Sequence, residues 1–115
     1  PQKDMALSAL AGPLSNLILA VLISGTTYFY PTSFLIQILV IININLGLFN
    51  LLPIYPLDGF DLIGGTLPPA LAQPWYSLQQ YGPIFLIAFL MPLGNQSLLQ
   101  IVLGPPIQFL TQLLL

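Results

Sequence analysis

Charged residues are almost missing from this sequence, and no other feature restricts its possible folds as strongly. Only 3% of the residues are charged, whereas about a quarter are charged in ordinary soluble domains. A water-soluble surface needs interspersed charge, so this chain cannot cover itself with one. The mean hydropathy of +0.94 agrees. We therefore expect an integral membrane protein that is surrounded by the lipid bilayer.

The few charges also exclude one class of function. The charged residues are Lys3, Asp4, Asp58 and Asp61, and the sequence contains no Arg, Glu, His or Cys. Nucleic-acid binding requires clusters of Lys and Arg that neutralise phosphates, so we expect no nucleic-acid partner. One lysine is also too little to indicate which end of the chain faces the cytoplasm.

Several apolar stretches approach the roughly 20 residues that cross a bilayer as a helix. They cover approximately residues 5–30, 33–52, 81–93 and 97–115. The third is short, and the fourth is interrupted at Gly104-Pro105-Pro106. Residues 58–80 are more polar and rich in Gly and Pro, which favours a loop or a short interfacial helix. We predict an all-α, multi-pass transmembrane helix bundle of three to four helices that forms a single domain over residues 1–115.

Small and polar residues recur on single faces of the first two stretches. In the first stretch, every fourth position carries one, at Ser8, Gly12, Asn16, Ala20 and Ser24. Such a stripe favours close helix packing, although the Asn16 amide also needs a hydrogen-bond partner in an apolar layer. In the second stretch, Asn43, Gly47 and Asn50 share a face. They indicate either hydrogen bonds between helices or the wall of a polar cavity.

The second stretch ends at two prolines that are followed by a carboxylate and a glycine. Pro53 and Pro56 remove backbone donors and end the helix before Asp58 and Gly59. Irregular backbone at membrane depth is tolerated where protein covers it or where it lines a watery cavity. An ionisable residue at such a place is a candidate functional residue. Asp58 is therefore either part of a site or a structural cap in a loop.

Two elements of the sequence resemble the signatures of the site-2 proteases, a family of intramembrane zinc metalloproteases. The first element is Ala11-Gly12-Pro13-x-x-Asn16, and the second is Asn50-x-x-Pro53-x-x-Pro56-Leu57-Asp58-Gly59. They follow one another in the order that the family has, each at a predicted helix boundary. The resemblance covers about residues 5–63, and the rest of the chain agrees only in being hydrophobic.

The resemblance implies hydrolysis of peptide bonds within the membrane, with transmembrane proteins or peptides as substrates. In the family, zinc is held by two His of a His-Glu-x-x-His helix and by the Asp of Leu-Asp-Gly, so Asp58 would be the third ligand. Three protein ligands are usual for a catalytic zinc. Asn50 would donate a hydrogen bond near the substrate, and Asn16 would lie close to the site. Gly59 would allow a turn that glycine tolerates best.

The sequence departs from the family pattern in its lack of His and Glu. It therefore carries neither the two other zinc ligands nor the general base. We expect the chain, which begins at Pro1, to be the C-terminal portion of a longer protein whose metal-binding helix precedes it, and to be inactive alone. Asp61 replaces a residue that is often basic in the family. It is either a carboxylate that orients a ligand or a solvated loop residue.

Two other functions fit the same residues. A non-catalytic pseudo-protease that binds transmembrane helices would also lack both His. A transporter fragment could place an ion site at the broken helix between Asn50 and Asp58, although the sequence contains no second broken segment with an ionisable residue. A His-Glu-x-x-His helix in the native polypeptide would distinguish the protease from the pseudo-protease.

Overall fold

The computed structural model describes residues 2–115, and Pro1, where we expect the chain to continue from an earlier segment, lies outside them. The described residues form helices almost throughout, which confirms the all-α class. The helices are α1 (Gln2–Gly25), α2 (Phe34–Asn50), α3 (Asp58–Thr66), α4 (Pro69–Ser77), α5 (Gly82–Leu90) and α6 (Leu98–Leu114). Short 3-10 turns follow α1 and α4, at Thr26–Tyr28 and Leu78–Tyr81. A two-residue antiparallel hairpin, β1 (Pro92–Leu93) with β2 (Gln96–Ser97), precedes α6.

The first two helices begin and end close to the predicted positions. Pro31 lies in the turn between them, where proline cannot continue a helix. Ser33 then caps α2, because its hydroxyl accepts a hydrogen bond from the backbone N–H of Ile36 at 3.2 Å. Such a cap satisfies one of the donors that a helix leaves unpaired at its start.

Helices α1 and α2 pack side by side through small residues. Their shared core consists of three residues that have no exposed surface, Ala20, Val40 and Ile44. Further along, Gly47 lies against α1: a Cβ at that position would be 3.0 Å from the Leu17 side chain and 3.1 Å from the Pro13 carbonyl oxygen. The stripe predicted on α1 therefore packs as expected at Ala20, and Ser24 is buried and donates a hydrogen bond to the Leu114 carbonyl.

The asparagines of α2 bond to their own helix and not to a neighbouring one. The Nδ2 groups of Asn43, Asn45 and Asn50 donate to the carbonyls four residues earlier, at 2.8, 2.7 and 3.0 Å respectively. Asn43 is buried, whereas Asn45 and Asn50 are partly exposed. Each amide thus satisfies one donor locally, which is cheaper than leaving it unpaired in an apolar layer.

Residues 58–80 form two short helices, so the loop alternative for this segment is wrong. Helices α3 and α4 have nine residues each, and Pro69 opens α4 at a position where its missing N–H costs nothing. Phe60 of α3 is almost completely buried, at 2% exposure. Packing of this ring offsets the weak helix propensity of the surrounding glycines.

Helix α6 is continuous, although we predicted an interruption at Gly104-Pro105-Pro106. Each proline removes only its own backbone donor. The carbonyls that lose their partners belong to Ile101 and Val102, which are exposed. A capping box stabilises the start of the helix: the Ser97 hydroxyl accepts from the Gln100 N–H at 3.2 Å, and the Gln100 side chain accepts from the Ser97 N–H at 2.9 Å.

One stretch of the described residues, Lys3–Tyr28, is long and apolar enough to cross a membrane. Only 22% of its most apolar window is buried, whereas the core helix of a soluble protein is mostly buried. Helices α2 and α6 are apolar but have 17 residues each, near the lower limit of about 17–25 for a span. Helix α5 has nine, which is too short. The multi-pass arrangement therefore stays a prediction.

Candidate functional site

The turn between α2 and α3 delivers Asp58 to the start of a helix. Residues 51–57 are irregular and contain a cis peptide bond at Tyr55–Pro56. The turn is anchored on α6 by a buried cluster of Leu52, Leu57 and Leu103. Leu57 has extended backbone, and Asp58 follows as the first residue of α3. A carboxylate in the first turn is favourable because the N–H groups there are unpaired and carry partial positive charge.

Gly59 brings the backbone of α3 onto the end of the same turn. A side chain at this position would collide with the carbonyl oxygens of Leu51 and Leu52. We expected Gly59 to permit a turn that glycine tolerates best, and this reason is wrong. Gly59 is helical, and among residues 2–115 a positive φ occurs only at Gly94, at 70°. The position needs glycine for close approach, which fixes Asp58 relative to α2.

The Asp58 carboxylate lies against α1 at Gly12. A Cβ placed on Gly12 would be 3.1 Å from Oδ2 of Asp58, so no side chain separates the carboxylate from this part of α1. Asp58 is partly exposed and Gly12 is exposed, which leaves the carboxylate accessible. The two sequence elements that resemble the family signatures are distant in the chain, and the fold brings them into contact.

The two predicted asparagines lie on the long helices that meet at this place. Asn50 is the last residue of α2. Its hydrogen bond to the Leu46 carbonyl uses one of its two amide protons and leaves the other proton and Oδ1 for a further partner. Asn16 lies one turn after Gly12 on α1 and is partly exposed. The roles of both side chains near a substrate stay predictions.

Asp61 belongs to α3 and not to a loop, so its expected placement as a solvated loop residue is wrong. It is partly buried in the first turn of the helix. Its charge acts on Tyr76 of α4: burial raises the pKa of the Tyr76 hydroxyl above its ordinary value, and the Asp61 carboxylate raises it further. The Tyr76 oxygen is buried and has no hydrogen-bond partner among the described residues. Nothing in this geometry directs Asp61 towards Asp58.

An aromatic cluster behind Asp58 is a feature that sequence reasoning missed. Phe60 stacks on Trp75 with ring centroids 5.0 Å apart. It also meets Tyr55 and Tyr76 edge-on, at 5.7 and 5.9 Å. The sequence pattern gave Trp75 and Tyr76 no packing partner within the protein. The available signal was the spacing of Phe60 and Gly64 by one helical turn. A glycine on the same side of a helix as an aromatic residue leaves room for large rings from a neighbouring element.

A mainly apolar groove of about 830 Å³ lies between the start of α1 and the end of α3. Its lining includes Leu7 and Leu10 of α1 and Leu62 and Leu67 on the other side, with Lys3 at one end. Asp58 is not among its lining residues. The candidate site is therefore an exposed carboxylate at a contact between helices, and this groove is separate from it.

The side chains of this chain alone do not fit a zinc site. Among residues 2–115, no three His, Cys, Asp or Glu side chains lie close enough together to hold a metal ion. A catalytic zinc commonly takes three protein ligands, of which a carboxylate is an acceptable one. Asp58 has the chemistry and the accessibility of one such ligand, and His ligands cannot come from this sequence.

Comparisons with known proteins agree with the resemblance to the site-2 proteases, and the family match includes the second sequence element at residues 50–59. Residues 23–93 match the family described as Peptidase family M50. The chain is also 35% identical over 112 residues to the "Putative zinc metalloprotease YwhC" of Bacillus subtilis (strain 168). That alignment covers 85% of this chain and 51% of the relative, so the chain spans about half the length of the curated protein it matches. No solved structure matches it. The chain belongs to peptidase family M50, the family of the site-2 proteases.

Proposed function

We propose that this chain is part of an intramembrane zinc metalloendopeptidase that hydrolyses peptide bonds of membrane-embedded proteins, and that Asp58 is its contribution to the zinc site. The observation that carries the proposal is the position of Asp58. Its carboxylate is accessible and lies against Gly12 of the other family element, 3.1 Å from where a Cβ would be. A zinc ion held there would act as a Lewis acid on the scissile carbonyl and on water.

The remaining ligands and the general base come from a segment outside these 115 residues. The proposal requires this segment because the 115 residues contain no His and no Glu. The described chain orients the Asp58 carboxylate and places the side-chain amides of Asn50 and Asn16 near it. Asn50 keeps one free amide proton for a substrate carbonyl, and Asn16 lies on the same stripe of α1 as Gly12. By itself the chain binds zinc weakly and cleaves nothing.

The protein is an integral membrane protein that crosses the bilayer more than once. Support comes from α1, whose apolar surface is mostly exposed, and from the flat shape of the described chain, 52 × 39 × 17 Å. A thickness below two helix diameters, with about 10–12 Å for each, leaves most apolar side chains facing outward. Proteins of this family are membrane proteases. Helices α2 and α6 serve as the shorter spans, with local thinning or snorkelling at their ends.

The test compares Asp58→Asn with Asp61→Asn in the natural polypeptide, reconstituted in lipid nanodiscs. Both variants remove one negative charge from the first turn of α3, so they are matched in electrostatics. Zinc affinity should fall more than about 100-fold in Asp58→Asn, since residues that only orient ligands already contribute about 10- to 100-fold. It should change little in Asp61→Asn. Metal content and cleavage of a transmembrane substrate are the measurements.

Three results would contradict the proposal. If Asp58→Asn retains zinc and activity like Asp61→Asn, Asp58 is a structural cap. If the unmodified polypeptide binds no zinc, the chain belongs to a non-catalytic relative that binds transmembrane helices. Cleavage by the 115 residues alone, inhibited by a chelator, would disprove the dependence on outside ligands.

A further inference from the structure

Helix α3, which begins with Asp58, lies close along α1 and carries one large buried side chain, Phe60. It has nine residues, and isolated helices shorter than about 12–15 residues are marginal. Its buried residues are Phe60 and three glycines, Gly59, Gly64 and Gly65. The glycines permit close approach but bring no side chain of their own. Phe60 is therefore the large buried side chain through which α3 packs on the aromatic residues of α4.

Trp75 of α4 contacts Phe60 in two ways. The two rings are stacked, with centroids 5.0 Å apart and an interplanar angle of 23°. The Trp75 indole N–H also donates a hydrogen bond of 2.9 Å to the Phe60 carbonyl. The first contact fixes the side chain of Phe60, and the second fixes its backbone. Because Phe60 follows Asp58 by two residues, both contacts act on the turn of α3 that carries the carboxylate.

Gly64 allows α4 to lie close enough for these contacts. A Cβ on Gly64 would be 2.6 Å from the ring and hydroxyl of Tyr76 and 3.0 Å from Cδ1 of Trp75. Tyr55, which precedes Asp58, meets Phe60 edge-on from the other direction, with centroids 5.7 Å apart. The aromatic cluster thus connects the turn before Asp58, the helix after it, and α4.

We infer that Trp75 is a positioning residue for Asp58. It acts through Phe60, setting the orientation of the first turn of α3 and holding the Asp58 carboxylate against Gly12. The chemical role of Asp58 rests on the proposed function, but the positioning does not, because it concerns only the geometry between α3 and α1. An indole at this place is not interchangeable with another apolar side chain, since the backbone contact needs its N–H donor.

Cross-linking can measure this geometry, because the sequence contains no cysteine. The test pair is Gly12→Cys with Asp58→Cys, in the natural polypeptide in membranes, freed of any cysteine outside these residues. Disulfides form readily when the Cβ atoms lie about 3.5–4.5 Å apart. The control pair is Leu17→Cys with Gly47→Cys, which reports the packing of α1 on α2, where the two positions are in contact.

Each pair is combined with Trp75→Phe, which keeps an aromatic ring over Phe60, and with Trp75→Ala, which removes both contacts. Loss of the indole donor should slow cross-linking of the test pair about fivefold, the equivalent of one net hydrogen bond. Loss of the stacked ring as well should slow it by more than about tenfold. Gly64→Ala, which pushes α4 away, should resemble Trp75→Ala. The control pair should keep its rate within about twofold, since it does not include α3.

The inference is overturned if the test pair cross-links at the same rate in all backgrounds, or if both pairs slow together, which would indicate general unfolding. A second readout separates it from the proposed function. With Asp58 intact, Trp75→Phe should speed the loss of zinc to a chelator. If cross-linking responds while zinc is not bound at all, Trp75 positions Asp58 and the proposed role of Asp58 as a zinc ligand is wrong.

Discussion

Three glycines of the site-bearing helices and two glycines of the C-terminal part have opposite surroundings. Gly12, Gly47 and Gly59 each lie so close to a neighbouring element that an added Cβ would meet it at 3.1 Å or less. Around Gly94 and Gly104 no atom lies within 4 Å of such a Cβ. The first three glycines are in close contact with a neighbouring element, and the other two border open space. The position of Asp58 is therefore sensitive to single methyl groups, whereas the hairpin and α6 are not.

The largest effect is expected at Gly59. Gly59→Ala places a methyl group inside the contact distance of two backbone carbonyls, and no flexible side chain can move aside to accommodate it. Overpacking usually costs about 1–3 kcal/mol, and we expect a cost at or above the top of that range because the obstacle is backbone. The free energy of unfolding in mixed micelles measures it. A loss below about 1 kcal/mol would show that the turn before α3 can shift to accommodate the methyl group. The crowded and the open glycines would then not differ in their sensitivity to an added methyl group.

A smaller and local effect is expected at the start of α6. Ser97→Ala removes the hydrogen bond that the Ser97 hydroxyl accepts from the Gln100 N–H, and it leaves the backbone N–H of residue 97 and the hydrophobic contacts of α6 in place. Loss of an N-cap costs about 1 kcal/mol. Hydrogen exchange should rise in the first turn of α6, while cross-linking between Gly12→Cys and Asp58→Cys keeps its rate. A slower rate would show that α6 determines the geometry of the site, contrary to the comparison.

The smallest effect is expected at Gly104, which serves as the matched control for Gly59→Ala. Gly104→Ala adds the same methyl group to a helix, but in open space. Alanine gains about 1 kcal/mol of helix propensity over glycine, and the proline that follows opposes part of this gain. The unfolding free energy should stay within about 0.5 kcal/mol of the unmodified protein. A large loss would mean that another surface covers α6 at this position.

Local signals predicted α1 and α2, and distant contacts determined what sequence reasoning missed. Pro31 and Ser33 define the turn between the first two helices, so their ends could be predicted from neighbouring residues alone. For residues 58–80 a short helix was one of two alternatives beside a loop, because glycine and proline disfavour helix locally, and the burial of Phe60 against α4 overrides that preference. Proline normally disfavours a helix interior, so the continuity of α6 through Pro105 and Pro106 could not be predicted from the local sequence.

The candidate site was predicted in its members but not in its geometry. Asp58 and Gly12 belong to two elements that resemble family signatures, and the structure places them against one another. The reason given for Gly59 was wrong, because a close approach between backbones leaves no pattern in the sequence. Trp75 was missed for a related reason: its partner is a backbone carbonyl, and any residue type supplies one.

The amides of α2 have a consequence for how the chain enters a membrane. Transfer of a helix with three asparagines from water into lipid is ordinarily unfavourable without a partner helix, since each unpaired amide costs energy in hydrocarbon. Here each amide donates to a carbonyl of its own helix, one turn earlier. This local donation lowers the cost of placing α2 in lipid, as the proposed multi-pass arrangement requires, and it leaves the asparagine oxygen atoms available to a later partner.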